Sequence, residues 1–288
     1  IVSFFLNIVL NPIFIYGFYF IPAMGVSGIA LATLCAQLYG LIYIIYKVNQ
    51  TDLKKYIYPE CFYPKMALLK DIIRQAIPAT GSMIFIGLGI FVLLYYVSIY
   101  GDYSAGGYGA AIRFEQLFLL PVLGLNTSTL SLVGQNFGAL KFDRIRETYL
   151  KSVFYGTVFM SICGIFIFFA SSYIMIFFSS DPQIIYYGST YLKIAAFAGP
   201  CYPIFFISSA LLQGLKKPIY QMIINLMRMV VLPIFALTIA VIYLKVSFLT
   251  MFLVILSINY IFATLVFWFS VYQIKIESKN YNPNFAAV

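Results

Sequence analysis

The sequence predicts an all-α integral membrane protein with eight transmembrane helices. Three observations carry the prediction. First, 62% of the 288 residues are hydrophobic and only 9% are charged, where a soluble chain carries about a quarter charged residues. That leaves too little polar surface to coat a globule, so the solvent for this chain is lipid. Second, the apolar residues fall into long runs, 1–20, 24–46, 77–100, 107–134, 152–178, 185–212, 218–243 and 247–273, each bounded by Gly, Pro or charge. A bilayer core needs about 20 helical residues at ~1.5 Å each, so each run can span once. Third, none of the runs shows the alternation or the ten-residue length expected of transmembrane strands.

Composition narrows the chemistry. The chain has no His, and its four cysteines (Cys35, Cys61, Cys163, Cys201) lack CxxC spacing. This argues against zinc or haem sites and a disulfide framework, and it removes Ser-His and HExxH chemistry. The net charge of +9 follows from topology. With residue 1 placed on the cytoplasmic side, fourteen of the 18 Lys and Arg residues fall in inner loops, and only Lys245 lies outside. Arg113, Lys193 and Arg228 lie within runs. The positive-inside rule thus accounts for the basic balance without a nucleic-acid partner.

Taken in order, the first run opens at Ile1 with no basic flank, so it is not a signal peptide. The expectation is a chain that begins inside a longer protein. This run carries Asn7 and Asn11 one turn apart, followed by Pro12. The two amides can bond backbone groups freed by the proline, or offer carbonyl oxygens to a hard cation such as Na⁺. Residues 1–46 form one helical pair. The connection 47–76 is the longest in the chain and is the expected linker between two lobes. Within it, Met66, Leu69, Ile72, Ile73 and Ala76 share one face and Lys70 and Arg74 the other. Phe142, Ile145, Tyr149 and Val153 repeat the pattern in a second inner loop. Both stretches predict short helices lying in the membrane interface. Residues 77–273 form the second helical body and 274–288 a cytoplasmic tail.

The run 107–134 holds the chemistry. Glu115 is the sole acid within any of the eight runs, and an ionisable residue inside hydrocarbon is a functional candidate by default. Phe118, Val122, Asn126 and Thr129 follow it on one helical face, aligning a carboxylate, an amide and a hydroxyl. Desolvation favours the neutral acid and a nearby cation the charged one, so such a group can bind and release a proton. The competing expectation is a structural ion pair with Arg113 or Arg228. Arg113, at i−2, points away from Glu115 in a regular helix. Pro121 removes a mid-helix hydrogen bond. The segment Gly134–Ala139 lacks the GK[ST] ending of a phosphate loop and reads as a helix-ending turn. Arg228 shares a face with Lys217, Gln221 and Asn225, and is expected to snorkel to the cytoplasmic headgroups or to form an inner gate.

A short internal repeat relates Leu10-Asn11-Pro12-Ile13-Phe14 to Leu232-Pro233-Ile234-Phe235, and Val26-Ser27 to Val246-Ser247. Both pairs run in the same direction, as in parallel-repeat transporters. If the repeat holds, four further helices are expected to precede residue 1, making twelve.

Asn7 through Gly17 and Gly25 through Thr33 resemble the fifth and sixth helices of the multidrug and toxic compound extrusion (MATE) family. Arg113-Phe114-Glu115-Gln116 through Ala139 resembles that family's eighth helix, and Leu212-Gln213-Gly214-Leu215-Lys216-Lys217-Pro218 resembles its turn between helices ten and eleven. The resemblance implies a two-lobe, twelve-helix exporter in the cell membrane, here the last two helices of one lobe and the whole of the other. It also implies a monomeric antiporter that exchanges amphiphilic, often cationic, organic compounds for Na⁺ or H⁺ and needs no other cofactor. Some members hold a cation with an Asn and an Asp on helix five and a Thr on helix six. Asn7 and Thr33 match, but the Asp position is Asn11. A Glu carried by many members on helix seven would fall near Ile86 and is absent. Glu115 is therefore the expected coupling residue, with Asn7, Asn11 and Thr33 as a second cation site and Arg113, Asn126, Thr129, Asn225 and Arg228 as cavity or gate residues. A lipid-linked oligosaccharide flippase of related fold would need a more basic cavity. An intramembrane enzyme would need a His, paired Asp residues or a nucleophilic Ser motif.

Overall fold

The computed structural model describes residues 2–51, 63 and 65–281. Cys61 and the tail beyond Tyr281 lie outside the described residues. The chain divides into two compact units, Ile1–Leu69 and Lys70–Val288.

The first unit contains α1 (Val2–Tyr16) and α2 (Val26–Asn49). Their connection is tight. Gly17 and Gly25 take φ of 80° and 54°, and the Met24 and Gly25 amides return to the Phe14 and Ile15 carbonyls. A Cβ on Gly28 would stand 2.4 Å from the Phe14 carbonyl oxygen, so only glycine lets α2 approach α1 this closely.

The second unit contains most of α3 (Met66–Ser98), then α4 (Asp102–Gly138), α5 (Phe142–Phe178), α6 (Pro182–Ala198), α7 (Cys201–Gly214), α8 (Pro218–Leu226), α9 (Leu232–Leu237) and α10 (Phe248–Tyr281). Wider π-helical turns, Met227–Val231 and Thr238–Tyr243, flank α9 and join α8 to it as one span. Across the described residues six helices are long and apolar enough to cross a membrane, or seven if α6 and α7 form one bent span. The run 1–20 is helical only over the 15 residues of α1.

Prolines explain the irregularities. Pro200 lacks an N–H and follows Gly199, and the predicted continuous run 185–212 bends there by 54°. Beside the bend, Tyr260 donates its hydroxyl to the Phe197 carbonyl at 2.9 Å. Pro233 likewise cannot donate, and the turn before it is π-helical. Pro121, by contrast, lies within an unbroken α4.

Two sequence expectations are corrected here. The amphipathic stretches are not separate interfacial helices but the first turns of α3 and α5. In α5 the shared face of Phe142, Ile145, Tyr149 and Val153 is buried against Val133, Ile207, Leu211 and Ile274. Apolar side chains on one helical face find protein there before they find lipid. The expected tail is also helical as far as Tyr281, with Gln273, Ile274, Glu277 and Ser278 buried.

The core of the second unit lies in layers along the helices. One layer gathers Tyr96, Val97, Tyr108, Tyr191, Leu237, Met251 and Phe252. A middle patch joins Cys201 and Phe205 to Ala263 and Val266, and the third layer is the one built on α5. The Glu115 site lies beside the first of these.

Candidate functional site

Glu115 is buried, 5% exposed, on the core face of α4. Both of its carboxylate oxygens are engaged. Tyr191, on α6, donates its hydroxyl to Oε2 at 2.5 Å, and Tyr202, on α7, donates to Oε1 at 2.7 Å. The two tyrosines stand on either side of the break at Gly199 and Pro200, so the bent pair holds the acid like two jaws. The close approach of α4 and α6 makes this possible. A Cβ on Gly107 would lie 2.8 Å from the Ile184 carbonyl oxygen and the Gly188 amide, so glycine is required at that crossing.

The expected ion pair is not what holds Glu115. Arg113 is exposed, and Arg228 is engaged elsewhere. Lower on α4, Thr129 is buried, donates to the Leu125 carbonyl and shares a hydroxyl–hydroxyl hydrogen bond with Ser152, while Asn126 Oδ1 is buried without a partner. The predicted stripe therefore exists as a face, but its hydroxyl turns to α5 rather than toward the acid.

The polar face of α8 also points inward. Gln221 accepts from Gln213 at 2.8 Å, and Asn225 donates to Ser82 Oγ at 2.6 Å. Arg228, 6% exposed, donates from Nη1 to Asn259 Oδ1 at 2.9 Å. Its guanidinium lies over the Phe205 ring, 3.8 Å from the centroid. Arg228 thus does not snorkel; stacking and the Asn259 amide keep it inside the bundle. A cavity of about 90 Å³ is lined by Tyr191, Tyr202, Arg228, Asn259 and the apolar side chains around them.

In the first unit, Asn7, Asn11 and Thr33 come together. Asn11 Nδ2 donates to Asn7 Oδ1 at 3.0 Å. Asn7 Nδ2 approaches Thr33 Oγ1 at 3.4 Å, and Thr33 donates to the Ile29 carbonyl. The amides bond each other rather than backbone groups freed by Pro12. Asn11 Oδ1 is left buried with no partner, an oxygen suited to a cation.

The family profile named MatE matches residues 78–238, more than half of the chain. The chain belongs to the MatE family. Within it, the chain is 29% identical over 225 residues to the probable multidrug resistance protein YpnP of Bacillus subtilis, covering 77% of this chain and 48% of that protein. It is 28% identical over 193 residues to the probable multidrug resistance protein NorM of Thermotoga maritima, covering 66% and 41%. Among solved structures, an outward-facing multidrug resistance MATE family transporter of the MOP superfamily superposes with a TM-score of 0.85 at 24% identity, covering 96% of this chain and 61% of that one. A MOP superfamily transporter from Pyrococcus furiosus matches equally well, at a TM-score of 0.85 and 24% identity, with 96% and 62% covered. The MatE chain described here spans about half the length of these sequence relatives. It is a multi-pass membrane protein, as its composition predicts.

Tyr191, Tyr202 and Asn259 complete the arrangement but were not found from the sequence. With 25 tyrosines in the chain, nothing local marks the two that face an acid. Asn259, a polar residue in the middle of the last apolar run, carried a readable signal, because a lone amide there needs a partner.

Proposed function

We propose that this MatE chain forms part of a secondary active antiporter that exports amphiphilic, often cationic, organic compounds in exchange for Na⁺ or H⁺. In this reading the whole protein has two lobes and twelve helices, of which residues 1–46 supply the end of the first and 77–273 the second. Glu115 is the coupling residue. The observation that carries the proposal is a buried acid held by two tyrosine hydroxyls from opposite sides of a helix break. A carboxyl at such a joint has different hydrogen-bond partners when the two halves of the broken helix shift. Its protonation and the bend then bias one another, which is the differential interaction that alternating access requires. The family membership and the multidrug resistance names of the relatives support the substrate class.

Asn7, Asn11 and Thr33 form a second, non-titrating cation site in this proposal. Amide and hydroxyl oxygens suit Na⁺, and the unpartnered Asn11 Oδ1 supports the assignment. The test is Glu115→Gln in the full-length protein in proteoliposomes, with efflux of a fluorescent organic cation measured against imposed Na⁺ and H⁺ gradients. The expected result is loss of gradient-driven efflux with protein still inserted. Efflux from the variant at the unsubstituted rate under both gradients would overturn the proposal.

A further inference from the structure

Arg228 lies roughly 15 Å along the span that opens at Pro218, at ~1.5 Å per residue, and is nearly inaccessible. An arginine stays charged in proteins and carries five donors. Here Nη1 has the Asn259 oxygen, while Nε is buried with no partner. Among the described residues the ion pairs join Lys151 to Glu147 and Lys217 to Glu277, and none reaches Arg228. Glu115 engages both of its oxygens with Tyr191 and Tyr202. A buried charge without a counter-charge costs several kcal/mol, and the ring of Phe205 offsets only part of that.

We infer that the cavity lined by Arg228 and Asn259 is a binding site for one small, weakly hydrated monovalent anion of halide size. Its volume of about 90 Å³ admits a halide together with water, a single water needing only about 10–15 Å³ of such space. It is too small for a drug-sized organic anion, since such ligands occupy pockets of about 300 Å³ or more. The remaining lining argues for weak hydration. Leu93, Ile194, Phe252 and Leu256 are apolar, and the Tyr191 and Tyr202 hydroxyl hydrogens are already given to Glu115. Sulfate or phosphate would surrender a strong hydration shell to few donors, whereas one guanidinium matches one negative charge. The π-helical turn Met227–Val231, which carries Arg228, is a widening of the kind that accompanies sites inside helices. This site does not depend on Glu115 being the coupling residue.

The test uses the full-length protein in lipid nanodiscs, with ionic strength fixed by sodium gluconate. Replacing gluconate stepwise with bromide should raise the unfolding temperature by roughly 2–4 °C and then saturate, as binding to the folded state requires. Chloride should act likewise and sulfate should not. Asn259→Asp places a carboxylate where Asn259 already meets the guanidinium, supplies the counter-charge internally, and should abolish the bromide response. Arg228→Met should abolish it as well. Bromide-grown crystals of the unsubstituted protein, which need no variant to fold, should show an anomalous peak beside the Arg228 guanidinium. No bromide response, an equal response to sulfate, an undiminished response in Asn259→Asp, or bromide peaks only elsewhere would each overturn the inference.

Discussion

Tyr202 reaches Glu115 from just beyond a break in its own helix, donating to Oε1 at 2.7 Å. Removing that hydroxyl leaves a buried carboxylate oxygen without its protein donor. Tyr202→Phe is therefore expected to cost ~1–3 kcal/mol, the usual penalty for orphaning a buried polar atom. The same change made in a Glu115→Leu background should cost much less, because no carboxylate remains. A double-mutant cycle measured by unfolding in mixed micelles reads the difference. Additive costs would show that the hydrogen bond contributes nothing.

The contact between Ser82 and Asn225 ties α3 to α8 through two buried side chains. Ser82→Ala leaves the Asn225 amide without its acceptor, at an expected cost of ~1–3 kcal/mol. Ser98→Ala is the control. Ser98 is exposed and bonds only within its own helix, to the Tyr95 carbonyl, so its loss should stay within about 0.5 kcal/mol. The same unfolding assay compares them.

The helical, membrane-spanning character of most runs was legible because apolar length and flanking charge dictate it almost without tertiary help, although run 1–20 is helical only over the 15 residues of α1. The break between α6 and α7 was half legible. Gly199-Pro200 stands in the sequence, but Pro121 stands equally plainly inside an unbroken α4, so a proline alone does not tell which helices bend. The polar partners were least legible. The side chain of Arg228 can reach headgroups or turn inward, and only the presence of Phe205 and Asn259 across the bundle decides between them. Burial also divided the two amphipathic stretches. The α5 face met a neighbouring core, whereas Met66, Ile72 and Ile73 on α3 remain exposed.

Gly107 and Gly109 lie on the same helix but predict opposite signs. A Cβ at Gly107 would meet backbone atoms of α6 at 2.8 Å, while nothing lies within 4 Å of one at Gly109. Gly107→Ala must push α4 and α6 apart and is expected to destabilise by about 1–3 kcal/mol. Gly109→Ala should stabilise by roughly 0.5–1 kcal/mol, since alanine loses less backbone entropy in a helix. Because the first change also displaces the helices that carry Glu115 and Tyr191, it should reduce transport in the efflux assay, and the second should leave transport unchanged.

Lys217 pairs with Glu277 at 2.5 Å, and Lys217 also donates to Gln273 at 2.9 Å. The carboxylate side chain is 8% exposed and the lysine 25%. The two members are therefore unequal. Lys217→Met strands a buried acid and should destabilise by ~3 kcal/mol, the lower end for a broken buried pair because water still reaches the lysine side. Glu277→Gln leaves a cation that keeps Gln273 and part of its hydration, so it should cost less. The double variant Lys217→Met with Glu277→Gln should recover most of the loss, since neither charge is then left alone. Unfolding of all three in mixed micelles checks the order. Equal losses for the two single variants would mean that burial of the acid does not govern this contact between the start of α8 and the end of α10.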